Sequence, residues 1–276
     1  MSRIEKALEM ALKLREPSQQ PATKAAGASV VAPWQPRNPN ILSFDGENVL
    51  LNEQYRKLKS VLLLMTRRKG GLNTLMVTSA ECGEGKSLTA INLALVLAQD
   101  YNHTVLLIDA DLRRPSLQSY LGLEPTPGLS DCLLDGVDVG RALIRVGTPK
   151  LTYMSAGRKV DNPAELLSSN KMKDLLHEMK GRYRDRYIII DTPPVLPFAE
   201  THSLSSCVDG VLFVVKEGIS HSSVKSALDI LKDGPLLGIV YNNARKERLN
   251  GRYAAYYPEY YGIRNGTDDG KGRHHV

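Results

Sequence analysis

The chain has 276 residues, room for one domain of about 200 residues with flanking segments. Its 42% hydrophobic and 24% charged residues describe a soluble globular protein, and the net charge of +6 admits an anionic partner such as a phosphate ligand or a membrane face. The basic residues are spread out rather than run into a block, so nucleic acid is not expected as a partner. Cys82, Cys132 and Cys207 show no paired or metal-like spacing, which suits free thiols in a reducing cytoplasm, and no apolar run has the length of a membrane span or the place of a signal-peptide core.

In chain order, "MSRIEKALEMALKLR" places Ile4, Ala7, Leu8, Ala11 and Leu12 on one helical face. Residues 1–16 therefore read as a short amphipathic helix, packed on its own domain or docked to a partner or membrane surface. Residues 17–40, rich in Pro, Ala and Ser and without a period, read as a flexible linker. A domain follows over 41–245. It begins with a helix, "LNEQYRKLKSVLLLMTRR", after which short apolar runs alternate with helical stretches. The runs lie at 73–79, 104–109, 151–156, 187–191, 210–216 and 236–242. Most are continuously apolar, as strands covered on both faces must be, so the fold class is α/β with a mostly parallel sheet flanked by helices. The last segment, 246–276, loses the apolar signal but holds Tyr253, Tyr256, Tyr257, Tyr260 and Tyr261, among Pro258, Glu259 and Gly262. These fit neither the helical nor the strand period, though an edge strand or a stacking role stays open.

Three strand ends carry chemistry. The first strand runs into "AECGEGKS" (80–87) and then the helical "LTAINLALVLAQ", the arrangement of a phosphate-binding P-loop with Ala80 at the first glycine position. Gly83 and Gly85 allow backbone N–H groups to turn toward phosphate oxygens, with Cys82, Glu84 and Leu88 completing the loop and first turn. Lys86 is placed to reach the β and γ phosphates, and the Ser87 hydroxyl to ligate Mg²⁺. In "VLLIDADLRRP" (105–115) a strand ends in Asp109 and Asp111, two residues apart and so able to face one way. Carboxylates beside a triphosphate need a cation between them, which implies Mg²⁺. "YIIIDTPPVL" (187–196) ends another strand in Asp191, a second metal-holding acid.

This set resembles the Walker A, A′ and B motifs of bacterial tyrosine kinases, the cytosolic autokinases of polysaccharide export, with further similarity in "GLSDCLLDG" and "NPAELL"; it covers roughly 50–245. The opening "MSRIEKALEMA" resembles the exosortase-associated branch. The resemblance implies a P-loop fold of the ParA/MinD type that binds ATP and Mg²⁺. It assigns phosphates to Lys86 and Ser87, the metal to Ser87, Asp109 and Asp191, and the attacking hydroxyl to Asp111. Arg113 takes the family's basic position, with charge stabilisation, packing against an Asp or a solvated face all open. The tail tyrosines become the phosphoacceptors, modified by a neighbouring copy in a ring. The family's Glu-x-x-Arg-x-x-Arg helix is matched by Glu53, Arg56 and Lys59, and lysine lacks the bidentate fork of arginine at the last position. Expected partners are further copies of the chain, a membrane-bound chain-length-determinant (co-polymerase) activator and a cognate tyrosine phosphatase. The expected location is the cytoplasm, at the inner face of the membrane through that activator.

Two other functions remain on the sequence. A positioning ATPase of the ParA/MinD kind shares the motifs but carries a lysine where Glu81 stands, and a nucleotide-dependent scaffold would not need the intact acids and Lys86.

Overall fold

The computed structural model describes residues 34, 36–42, 48–68, 72–182 and 185–244. The amphipathic segment 1–16, most of the segment read as a linker, and the tail from 246, with its five tyrosines, lie outside the described residues.

The elements run α1 (Val49–Arg68), β1 (Thr74–Ser79), α2 (Lys86–Ala98), β2 (Thr104–Asp109), α3 (Leu117–Leu121), α4 (Leu129–Asp135), a 3-10 turn (Val139–Ala142), β3 (Leu143–Val146), β4 (Thr148–Met154), α5 (Pro163–Ser168), α6 (Asn170–Arg182), β5 (Arg186–Asp191), α7 (Ala199–Ser205), β6 (Gly210–Lys216), α8 (His221–Ile230) and β7 (Leu236–Asn242). The strands form one sheet in the order β3-β4-β2-β5-β1-β6-β7, all parallel except β3, which pairs antiparallel with β4.

Successive strand residues face opposite sides, and each side has its own core. Met76, Ile108, Ile190 and Phe213 bury on one face, Leu75, Leu107, Ile189 and Val214 on the other. This double burial explains why the central strands lack polar alternation. Helix α2 is buried almost all round, which its sequence requires, since it is apolar on every side. Helix α1 lies over it through Tyr55 and Leu62, and the Thr66 and Tyr187 hydroxyls meet at 2.7 Å.

The structure departs from the sequence reading in four places. β3 was not expected: "LIRV" is short and only half-buried, so it carries no continuous apolar run. β4 starts and ends earlier than the run at 151–156. β7 closes an edge of the sheet and alternates, leaving Leu236, Ile239 and Tyr241 exposed rather than buried on both faces. Finally, the domain begins before residue 41. The Trp34 indole donates to the Leu121 carbonyl at 2.8 Å, the Arg37 N–H to Tyr120 O at 3.1 Å, and Asn92 ties Leu42 and Asn40 to α2 at 2.9 Å each.

The order of the strands positions the chemistry. β1, β2 and β5 end side by side, with Val77 opposite Asp191 and Asp109 opposite Asp191, at the carboxyl edge where ligands bind open parallel sheets.

Candidate active site

The loop leaving β1 turns at Gly83 (φ 80°) and Gly85 (φ 91°), both in the left-handed region that glycine enters without steric cost. Its tip, Glu81 to Gly83, is exposed. Gly85 then caps α2, whose first turn carries no side-chain cap and no acidic residue. The N–H groups there and the positive end of the helix dipole are thus left for an anion.

Lys86, the first residue of α2, is only 9% exposed, and its ammonium lies among the acids. Nζ donates to Asp111 Oδ2 at 2.8 Å, sits 3.8 Å from Asp191 Oδ1, and reaches the Ser87 hydroxyl at 3.3 Å. Burial pushes the Lys86 pKa down, but the charges of Asp191 and Asp111 outweigh it and the net shift is upward, so the lysine stays charged. Asp109 and Asp191 are fully buried. Burial and the mutual repulsion of the pair raise Asp109 well above the ordinary carboxylate range. Burial raises Asp191 to about 6, with Lys86 and the Ser87 hydroxyl pulling the other way.

The two acids differ in what holds them. Asp109 Oδ1 accepts from the Asp111 N–H and Oδ2 from the Leu117 N–H, each at 3.2 Å, so Asp109 shapes the loop that presents Asp111. Neither oxygen of Asp191 has a full hydrogen bond, although both are buried. Such orphaned acceptors ask for a cation. Three carboxylates face one ammonium, so when all are ionised a divalent ion balances the site. Among the described residues no group of three or more His, Cys, Asp or Glu side chains forms a metal cage. That composition fits Mg²⁺, which keeps water ligands and is held by one or two carboxylates together with substrate phosphates.

Comparison with known proteins gives the site its family. The ParA family, described as NUBPL iron-transfer P-loop NTPase, matches residues 72–247. Tyrosine-protein kinase YwqD of Bacillus subtilis (strain 168) is 36% identical over 221 residues, 79% of this chain and 91% of that protein. The chain belongs to the bacterial tyrosine kinases. Putative tyrosine-protein kinase EpsB of Ralstonia solanacearum is 30% identical over 252 residues, 89% of this chain but 32% of that longer protein. Among solved structures, the chimerical protein CapA2B2 superposes with a TM-score of 0.66 at 27% identity, covering 74% of this chain and 92% of that one. The fold is accordingly the P-loop NTPase fold of the ParA/MinD type, a nucleotide-binding scaffold.

Within this tyrosine kinase the other expected residues are placed as follows. Ser87 is buried beside Lys86, Leu88 is half-buried against the core, and Cys82 is exposed at the loop tip. Arg113 turns to Glu200, with Nε 2.5 Å from Oε1 and Nη2 3.4 Å from Oε2, and its guanidinium lies 4.6 Å from the centre of the Phe198 ring. The acid that Arg113 meets is thus a glutamate and not the aspartate expected. On α1, Arg56 is exposed, Glu53 is half-buried, and Lys59 lies 3.8 Å from Asp100 of the same chain. Sequence reasoning missed Glu200 and Asn242. Glu200 is a charged residue just past the "DTPP" strand end, and Asn242 a polar residue ending an apolar strand; those are the only local signals either leaves.

Proposed function

We propose that the chain is an ATP-dependent autokinase which phosphorylates Tyr253, Tyr256, Tyr257, Tyr260 and Tyr261 of a neighbouring copy and thereby regulates exopolysaccharide synthesis and export. The observation that carries this reading is the Lys86–Asp111 contact at 2.8 Å beside Asp191, whose buried oxygens lack a full hydrogen bond. Resting, the phosphate-binding cation and the acid assigned to the tyrosine hydroxyl hold each other. When phosphates enter the loop, its N–H groups and Lys86 Nζ turn to them, and Asp111 Oδ2 is released to accept the phenolic proton. Ser87 and Asp191 would hold Mg²⁺, with Asp109 behind them, and the ion supplies neutralisation of the phosphate charge. Transfer is then in line from the γ-phosphoryl to the phenol oxygen, driven by positioning.

The names of the relatives support the tyrosine-kinase activity, and the resemblance of the motifs and of the opening "MSRIEKALEMA" to the exosortase-associated branch supports the polysaccharide context. Since no helix among the described residues is long and apolar enough to cross a membrane, a co-polymerase activator is the natural link to the inner face of the membrane. A ring of copies and a cognate phosphatase complete a cycle in which phosphates, each adding roughly −1.5 to −2 charges, drive tails apart. The exposed Glu81 stands where a positioning ATPase of the ParA/MinD kind has its lysine, which favours the kinase.

Tandem mass spectrometry of the full chain after incubation with Mg·ATP, beside Lys86→Met, tests the reading. Phosphate on Tyr253 to Tyr261 in the unaltered chain only is expected. An unmodified tail with ATP still hydrolysed, and unchanged by a membrane activator, would transfer the case to the positioning ATPase.

A further inference from the structure

The phosphate loop is held from behind by two side chains that the transfer reaction does not use. Glu84 is 1% exposed, an odd place for a carboxylate, because its charge opposes the anion that the loop binds. Both oxygens are occupied. Oε1 accepts from the Glu81 N–H at 2.6 Å, across the bend of the loop, and Oε2 from the N–H of Lys216, the last residue of β6, at 3.2 Å. The Glu84 carbonyl in turn accepts from Asn242 Nδ2 at 2.8 Å, and the Asn242 carbonyl accepts from the Glu217 N–H at 3.1 Å. Space for this amide exists because position 85 is glycine: a Cβ there would lie 2.0 Å from Asn242 Nδ2.

We infer that Glu84 and Asn242 are positioning residues that brace the phosphate loop against the ends of β6 and β7, so that its N–H groups already face the phosphates before nucleotide arrives. The inference rests on the nucleotide reading of the loop and adds to it what keeps the loop ready. A loop ordered in advance binds without the entropic cost of being ordered by its ligand. The brace also ties the nucleotide site to the strand from which the chain runs on toward the tyrosines, since Asn242 ends β7.

The test turns on a difference of sign. Glu84→Gln keeps the size of the side chain and removes its charge. If Glu84 acts only through its field, the substitution tightens phosphate binding. If it braces the loop, binding weakens, because both partners are N–H donors and an amide offers an acceptor to only one of them. Full-length unaltered chain, Glu84→Gln and Asn242→Ala are titrated with Mg·AMP-PNP, and amide exchange over 81–85 and thermal melting are followed without nucleotide. The brace predicts faster exchange in both variants and a Kd raised about tenfold. For Asn242→Ala, which lies outside the loop, it also predicts a transfer rate at saturating ATP within a few-fold of the unaltered chain, as the reacting groups are untouched. Unchanged exchange, or unchanged or tighter binding by Glu84→Gln, overturns it. Should Glu84→Gln fail to fold, Asn242→Ala, which deletes one donor, decides by the same readouts. Faster exchange in the variants of a chain that itself fails to bind AMP-PNP would instead sink the nucleotide reading and leave the brace standing.

Discussion

Asp191→Asn is expected to make the nucleotide-free kinase more stable while abolishing its response to nucleotide. The carboxylate is fully buried and its oxygens lack a full hydrogen bond, so the change to an amide forfeits little beyond the attraction of the Lys86 ammonium, 3.8 Å from Oδ1. Its pKa is raised from 3.8 to about 6 by burial, offset in part by Lys86 and Ser87. The folded state therefore holds this proton more tightly than the unfolded chain does. For an acid shifted upward, its stabilising contribution is complete below about pH 4 and is lost as pH rises through about 6. Ionising it in the folded protein costs about 3 kcal/mol at neutral pH. Asp191→Asn should then match the unaltered protein near pH 4 and exceed it by roughly that amount at pH 7 to 8, measured in urea with EDTA present. The single tryptophan, Trp34, anchored to Leu121, supplies the fluorescence signal. With Mg·AMP-PNP at a hundredfold excess over Kd the unaltered protein gains about 2.7 kcal/mol by mass action, and the variant gains little. A variant less stable at pH 7, or an advantage that does not vary with pH, would refute this account of the buried acid.

Removing Arg113 should expose its structural part. Glu200 is fully buried, so Arg113→Met strands its carboxylate and should cost toward the lower end of about 3–5 kcal/mol, the arginine being 36% exposed. Adding Glu200→Gln should restore most of the loss in the same urea assay. Activity lost with stability intact would return Arg113 to the transferred phosphoryl group. Asp209 behaves opposite to Asp191. Burial would raise its pKa, but the Lys180 ammonium and the Thr74 and Asn73 N–H groups outweigh it and hold it below 3.8. Its contribution is present above the ordinary carboxylate value and is lost as pH falls through the lowered one. Asp209→Asn should therefore cost about 1–2 kcal/mol at pH 7, and the cost should shrink as unfolding curves are repeated at pH values below the ordinary carboxylate range.

What could be read in advance was what is local. The central strands were legible because burial on both faces forces unbroken apolar runs, and the phosphate loop because strand, glycines, lysine and helix are contiguous. β3 fell below that threshold as a half-buried edge of four residues containing Arg145. Composition misled at Trp34, where prolines and alanines suggested a mobile linker although an indole N–H donating to a carbonyl fixes the chain to the domain. Three acids at strand ends were visible, but their neighbourhood depends on β5 lying between β2 and β1, which no single stretch encodes. The same limit explains Asn242, which bonds Glu84 across 158 residues, and Glu200, which holds Arg113 across 87. Such pairs exist only once the sheet order brings strand ends together. Residues that do the chemistry of a phosphate loop therefore announce themselves by spacing, whereas those that hold it in shape are chosen by whichever strand the topology sets beside it.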